Sequence, residues 1–516
     1  MQTQPPKSLR WFSSLAAYLP RLSKKPNVHL LTASTLTLFI ITLLLTTVLT
    51  AAELNSLDFK PCTVTVAAVE VDAHCSDFAR LENPEDTNGR VITLAAIKFP
   101  ARTPEPETDA FTIIQGGPGG SSIDMGIGFS RAFEDIRRKR DIIIIDQRGT
   151  GRSNMLTCDM PEDSSVQYNP EIAKRLNKAC ADKLSKDNDL RFYTTSVAVD
   201  DLEALRQAAG YNQLNLYGVS YGTRVVQHFM RKYPDSTRTA ILDGVAHIGL
   251  NLAGGEIARR WENSFNAINQ RCQADAVCKA QHGDLRESFD QVINDLSEAP
   301  VSVNIPHPST GEPKQYTFNK DSLFGAVRLM AYSTESVSLM PLLISRAKAK
   351  DYRFMAAQLI KLEEGFSKEF AFGMHNSVAC TEDAPFVTQA ERAKADGTIV
   401  GDLMASVMQA SCSVWPRGVM DENFREPFSS NVPTLVLSGA TDPITPPENG
   451  EIATKMLGNA KHIVMPAHGH GVIARGCMPK LASMFIEDGS FAELKTSCVE
   501  RERAMPIFTS LTGPRP

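Results

Sequence analysis

The chain has 516 residues, with 42% hydrophobic and 22% charged side chains and a formal net charge of −5. That is ordinary globular composition with ample length for a large core. So small a charge, with no basic cluster interleaved with aromatics after the first thirty residues, argues against nucleic acid or any strongly charged partner.

The N-terminus stands apart. Residues 1–28 carry Lys7, Arg10, Arg21, Lys24 and Lys25 and no acid, and residues 29–52 hold no charged side chain apart from His29. An apolar run of that length can span a bilayer, which takes about 20 residues. Basic residues before it, with Glu53 and Asp58 after it, place the N-terminus in the cytoplasm and the bulk of the chain outside. Two readings stay open: a signal peptide cut near Ala51 or Ala52, or a retained anchor to the cytoplasmic membrane. The membrane is a partner only through this segment, and the expected location is periplasmic or secreted. All ten cysteines follow it, which suits disulfides in an oxidising compartment. No Cys-x-x-Cys pair suggests a metal site. Sequential pairing closes the shortest loops: Cys62–Cys75, Cys158–Cys180, Cys272–Cys278, Cys380–Cys412 and Cys477–Cys498.

Residues 58–245 alternate strand-like and helix-like stretches. The runs at 62–71 and 91–99 read as an early pair of strands. Short apolar runs at 110–115, 141–146, 214–218 and 239–244 end in turn residues and suit strands buried on both faces. Between them, Val199, Leu202, Leu205 and Ala209 recur at helical spacing, with Gly210 as a stop. Val225, Val226, Phe229, Met230 and Tyr233 form a second apolar stripe ahead of Pro234. Strands alternating with helices predict a mostly parallel, doubly covered sheet. From 246 to 425 helical segments dominate, broken by a Pro-rich stretch that reads as a hairpin. Strand patterns return at 432–439 and 460–466, with a last helix at 478–489. The plan is a core in two parts, 58–245 and 426–516, interrupted by a helical lid at 246–425.

Chemistry enters at "LNLYGVSYGTR", residues 214–224. A strand, a turn carrying Gly-x-Ser-x-Gly and a helix is the context in which Ser220 is held out as a nucleophile, with Gly218 and Gly222 leaving room for a sharp turn. A serine hydroxyl needs a base. His470, flanked by Gly469 and Gly471 after the last strand, is preferred over His468, and His462 at the start of that strand reads as structural. Asp442, in a proline-stiffened loop, is the expected acid, with Asp243 as runner-up whose plainer role is to accept N–H bonds at a turn. Chain order Ser, Asp, His is that of an α/β-hydrolase. An oxyanion needs backbone donors. Tyr221 follows the nucleophile, and the glycine-rich "QGGPGGSS", 115–122, brings Gly116 and Gly117. Serine in the elbow implies an acyl-enzyme and hence ester, amide or peptide hydrolysis. The chemistry requires no metal and no cofactor. Arg148 and Arg152 of "DQRGTGRS" are expected to brace loops beneath the oxyanion turn.

The stretches "GGPGGS" (116–121), "DQRGTGRS" (146–153), "GVSYGT" (218–223), "SGATDPITP" (438–446) and "GHGV" (469–472) resemble the proline iminopeptidase and tripeptidyl aminopeptidase branch of the serine α/β-hydrolases. The tail from Ala474 to Cys498 resembles the C-terminal region of the secreted tripeptidyl aminopeptidases. The resemblance covers nearly everything after residue 58 and is faint in the lid. It implies an exported exopeptidase that releases residues from peptide N-termini, with Ser220, Asp442 and His470 as its triad and peptides as substrates. One departure is Gln115, where proline iminopeptidases usually have histidine, which leans toward the tripeptidyl group. An aminopeptidase needs an anion for the substrate ammonium, and Glu382 and Asp383 of "ACTEDAP" are the proposed anchor, against the plainer reading of a solvated acidic turn. An esterase on the same machinery is the alternative function. A non-catalytic binding domain would be expected to have lost the triad.

Overall fold

The computed structural model describes residues 57–67, 69–161, 168–252, 254–367, 370–466 and 468–514. The basic stretch 1–28 and the apolar run 29–52 lie outside them. Among the described residues no helix is long and apolar enough to cross a membrane.

A nine-stranded sheet runs in the order β1 (Lys60–Val66), β2 (Val69–Leu81), β3 (Val91–Phe99), β5 (Asp141–Ile145), β4 (Ala110–Ile114), β6 (Leu214–Val219), β7 (Thr237–Asp243), β10 (Thr434–Gly439), β11 (Ala460–Met465). Strands β1, β2 and β3 pair antiparallel, and β3 pairs antiparallel with β5. From β5 to β11 every pairing is parallel. The run expected as one strand over 62–71 is two. Val66 pairs with Val69 across a reversal at Ala67, whose φ is +52°, and Cys62–Cys75 staples the hairpin. The apolar alternation slips by one there, from Val64 and Val66 to Val69 and Val71, but the residues at the slip are all apolar, with no glycine, proline or asparagine to mark a turn.

Side chains of the central strands alternate between two cores. Leu214, Leu216, Ala240 and Leu242 pack on one face with Val225, Val226 and Phe229 of the helix Tyr221–Lys232. Phe111, Ile113, Tyr217 and Ile241 pack on the other with Phe485 of the helix Met478–Asp488. This period of two, with both faces covered, explains why the strands read as continuous apolar runs.

Between β7 and β10 the chain forms a helical layer. Its helices, from Glu256–Ala274 to Arg353–Ser367, and the hairpin of β8 (Val301–Pro306) and β9 (Pro313–Phe318) share their own core around Trp261, Phe265, Phe289 and Phe324. The helix Phe372–Glu382 behaves differently. Ala371, Met374, Val378 and Cys380 join the sheet's core together with Trp415. The tail also returns to the helical layer, where Ile507 enters its core and the Phe508 N–H donates to the Ser338 carbonyl at 2.9 Å. All ten cysteines are bonded in five consecutive pairs.

Candidate active site

Chain order reverses between β4 and β6: the crossover after β4 leads to β5 on one side, while β6 and β7 lie on the other. The carboxyl ends of strands at such a switch point form a crevice where ligands bind in open α/β sheets. Five loops leave that edge, after β4, β6, β7, β10 and β11, and together they carry residues 115–121, Ser220, Gly244, Asp442 and His470.

Ser220 sits at φ +56°, ψ −126°, directly ahead of the helix Tyr221–Lys232. A non-glycine residue there is strained and persists only when its surroundings hold it. They do. The Ser220 N–H donates to the Asp243 carbonyl at 2.9 Å, and Thr223 returns its N–H and its hydroxyl to the Ser220 carbonyl. Gly218 and Gly222 are back to back: a Cβ on Gly218 would lie 2.4 Å from the Gly222 carbonyl oxygen, and one on Gly222 would lie 2.2 Å from that of Ile114. Only glycine lets the helix enter this close to the strands.

The glycine-rich loop after β4 passes beside the serine. A Cβ on Gly116 would stand 2.6 Å from Ser220 Cβ and 3.3 Å from Oγ. Gly117 takes φ +118°. Of the three backbone donors expected here, the Gly116 N–H is engaged by Gln115 Oε1 at 2.8 Å. The N–H groups of Gly117 and Tyr221 have no acceptor among the described residues, and Tyr221 adds the positive end of its helix. The brace beneath this loop is Asp146, which accepts from Ser121 Oγ (2.8 Å), Ile123 N–H (3.0 Å) and Arg152 N–H (2.8 Å). Arg152 bonds Asp124 at 2.6 Å. Arg148, expected beside it, instead pairs with Asp201 and with the carbonyls of Leu81, Glu82 and Phe192, tying β2 to the helix Thr195–Ala208.

His470 and Asp442 meet. Nδ1 lies 2.7 Å from Asp442 Oδ2, and Thr445 Oγ1 donates to the same oxygen at 2.8 Å. The N–H groups of Ile444 and Thr445 hold the other oxygen, each at 2.9 Å. Burial would raise the Asp442 pKa, but the imidazole and these donors outweigh it and hold it below the usual range. Burial would likewise lower His470, yet the Asp442 carboxylate prevails and raises it. His468 is directed elsewhere, with Nδ1 3.2 Å from Thr334 Oγ1 and Nε2 3.6 Å from the Glu502 carboxylate. His462 bonds Ser438 Oγ at 2.9 Å.

Asp243 links the serine and the histidine. While its carbonyl holds Ser220, its carboxylate accepts the N–H groups of Val472 and Ile473 at 2.9 Å and the Tyr217 hydroxyl at 3.0 Å. The next residue, Gly244, has φ +64°, and a Cβ there would lie 3.2 Å from His470 Cε1 and 3.3 Å from Asp442 Oδ2. From the lid, the Tyr332 carbonyl accepts the His470 N–H at 3.0 Å, and the two rings meet edge-on with centroids 5.1 Å apart. Sequence reasoning missed Tyr332, which carries no local signal. For Gly244, the strand-ending Leu-Asp-Gly was the available sign.

Glu382 and Asp383 are fully buried. Asp383 receives Arg224 in a two-pronged pair at 2.9 and 3.0 Å and the Leu252 N–H at 3.0 Å. Glu382 receives the N–H and hydroxyl of Thr195 at 2.8 and 2.9 Å, and burial pushes its pKa up to about 7. Neither the amine anchor nor a solvated turn describes them. Asp383 pins the end of the helix Phe372–Glu382 to the helix that follows Ser220, and Glu382 pins it to the helix Thr195–Ala208.

Two family matches follow this geometry. Residues 109–277 match the α/β hydrolase fold family, and residues 398–498 match the TAP-like protein family. The chain has the α/β-hydrolase fold, and its C-terminal region matches the TAP-like family. Both matches support the branch of serine hydrolases that the sequence motifs resemble. Relatives of this α/β-hydrolase include the serine protease Hip1 of Mycobacterium tuberculosis, 22% identical over 86% of this chain and 90% of that protein. Carboxylesterase B of the same organism is 22% identical over 83% of this chain and 86% of that protein. The tripeptidyl aminopeptidase of Streptomyces lividans is 27% identical over 26% of this chain and 27% of that protein.

Proposed function

We propose that this chain is an exported serine exopeptidase that releases residues from peptide N-termini. Ser220 is its nucleophile, His470 its base and Asp442 the acid that orients the base. The observation that carries the chemistry is the 2.7 Å Asp442–His470 contact, with Asp243 joining the histidine loop to a serine held at φ +56°. In the first step Ser220 Oγ attacks the carbonyl carbon and its proton passes to His470 Nε2. Charge builds on the carbonyl oxygen, where the Gly117 and Tyr221 N–H groups serve as donors. The imidazolium then protonates the leaving amine as the carbon–nitrogen bond breaks, leaving an acyl-enzyme that water hydrolyses by the same route. Export is supported by five disulfides and the apolar leader. The TAP-like region and the peptidase relatives favour peptides as substrates.

The second reading is a carboxylic ester hydrolase on the same centre, favoured by the relative named carboxylesterase B. A panel of free and N-acylated peptide anilides beside simple esters, with products identified by mass spectrometry, separates the two. Release of N-terminal fragments only from peptides with a free amine is the expected result. Cleavage of esters alone rejects the peptidase.

A further inference from the structure

Four of the six residues from Gln115 to Gly120 are glycines. Such a stretch does not hold one shape by itself, because glycine has more conformational freedom to lose than any other residue. A backbone N–H stabilises a developing oxyanion only if it is already aimed at it. The shape of this loop must therefore be imposed by its neighbours. Asp146 fixes its far end, through Ser121 and Ile123.

The middle of the loop meets the start of the helix Phe372–Glu382. His375 Nδ1 lies 3.1 Å from the Pro118 carbonyl oxygen, and the Ala371 N–H donates to the Gly119 carbonyl at 3.0 Å. Two consecutive loop carbonyls are thus held by one helical turn. The packing is close: a Cβ on Gly117 would lie 2.9 Å from Phe370 Cε2, and one on Gly119 would lie 2.9 Å from the Ala371 carbonyl oxygen. The Phe370 and His375 rings meet with centroids 5.4 Å apart. A carbonyl only accepts, so the His375 bond requires the proton on Nδ1, which one tautomer of the neutral ring supplies. Burial lowers the His375 pKa and favours that neutral ring.

The helix that carries His375 is itself fixed. The Gly373 N–H donates to the Leu156 carbonyl at 2.9 Å, Trp415 Nε1 donates to Ser377 Oγ at 3.1 Å, and Cys380 is bonded to Cys412. At its end Asp383 holds Arg224, on the helix that begins after Ser220. One rigid element therefore contacts the serine's helix at one end and the glycine-rich loop at the other.

We propose that His375 is a positioning residue for hydrolysis: by holding the Pro118 carbonyl it fixes the preceding Gly117 N–H at the oxyanion site. The inference rests on the reading of Ser220 as the nucleophile and adds to it a side chain that acts through the loop.

The test compares variants of the full chain on any substrate it turns over. His375→Leu removes the donor and should lower kcat by about ten- to a hundredfold with KM within about twofold, because the oxyanion contact is made in the transition state. Inhibition by the aldehyde analogue of that substrate, whose adduct with Ser220 carries the oxyanion, should weaken by a similar factor. The matching primary alcohol, which forms no adduct, should bind as before. His375→Asn offers an amide N–H where Nδ1 stood and should recover most of the loss. His375→Ala repeats the donor-less reading where the leucine variant does not fold, with circular dichroism as the check. An unchanged kcat in a folded donor-less variant, a loss that asparagine does not recover, or an equal loss in alcohol binding overturns the proposal. Failure of both donor-less variants to fold overturns it too, by making His375 an element of the fold. Absence of fluorophosphonate labelling at Ser220 in the unsubstituted chain overturns instead the catalytic reading beneath it.

Discussion

Two buried aspartates stand at the ends of neighbouring strands and serve the same histidine in different ways. Asp442, beyond β10, grips the His470 ring itself, and its pKa is lowered. Asp243, ending β7, grips the backbone two and three residues further on, through neutral N–H groups. Burial there wins, and its pKa rises to about 6. The difference teaches that burial alone does not decide the charge of a carboxyl group. An imidazole in direct hydrogen-bond contact offsets desolvation, where two amides, a phenol and the same imidazole without such a bond do not.

Substitutions at the two positions should separate these duties. Asp442→Asn should lower kcat by about ten-thousandfold, because the amide favours the wrong imidazole tautomer. Steady-state kinetics on any turned-over substrate reads this, and a loss under tenfold removes Asp442 from the triad. Asp243→Asn should cost kcat less, about ten- to a hundredfold, since it displaces the histidine loop without changing the ring's partner. Unchanged kcat would reduce Asp243 to a fold element. Gly244→Ala adds a side chain against the imidazole at φ +64° and should lose about tenfold, given about 1–2 kcal/mol of backbone strain.

The smallest effect is on stability, and it has opposite signs. The raised pKa of Asp243 means its contribution is fully present below the unfolded value of 3.8 and lost as pH rises through about 6. That loss is about 3 kcal/mol. Asp442, with a lowered pKa, contributes above its unfolded value of 3.8 and loses that contribution as pH falls through its folded value. Melting temperatures across pH 3 to 8 should therefore lose their decline between pH 4 and 6 in Asp243→Asn, and part of their acid-side fall in Asp442→Asn. Parallel curves for both variants would dissolve the distinction.

Much of this edge of the sheet was legible because its demands are local. Gly218 is required by contacts within a few residues of Ser220, and a strand followed by a helix announces the turn, although Gly222 makes its close approach to Ile114 on the neighbouring strand. Asp442 and His470 follow from chain order once the serine is found. The early hairpin at Ala67 was hidden because its turn is made of apolar residues, with no glycine, proline or asparagine to signal it. Glu382 and Asp383 were misread because Arg224, which neutralises Asp383, lies 159 residues away in sequence. Tyr332 approaches His470 from the helical layer, and nothing in its neighbouring residues records which strand end it faces.

The bridges follow one rule: each cysteine is joined to the next one along the chain, at separations of 6 to 32 residues. A polypeptide that emerges from its N-terminus first would always find its correct partner as the next thiol to appear. Oxidation in order of emergence would then yield the native set directly, with no reshuffling through thiol exchange.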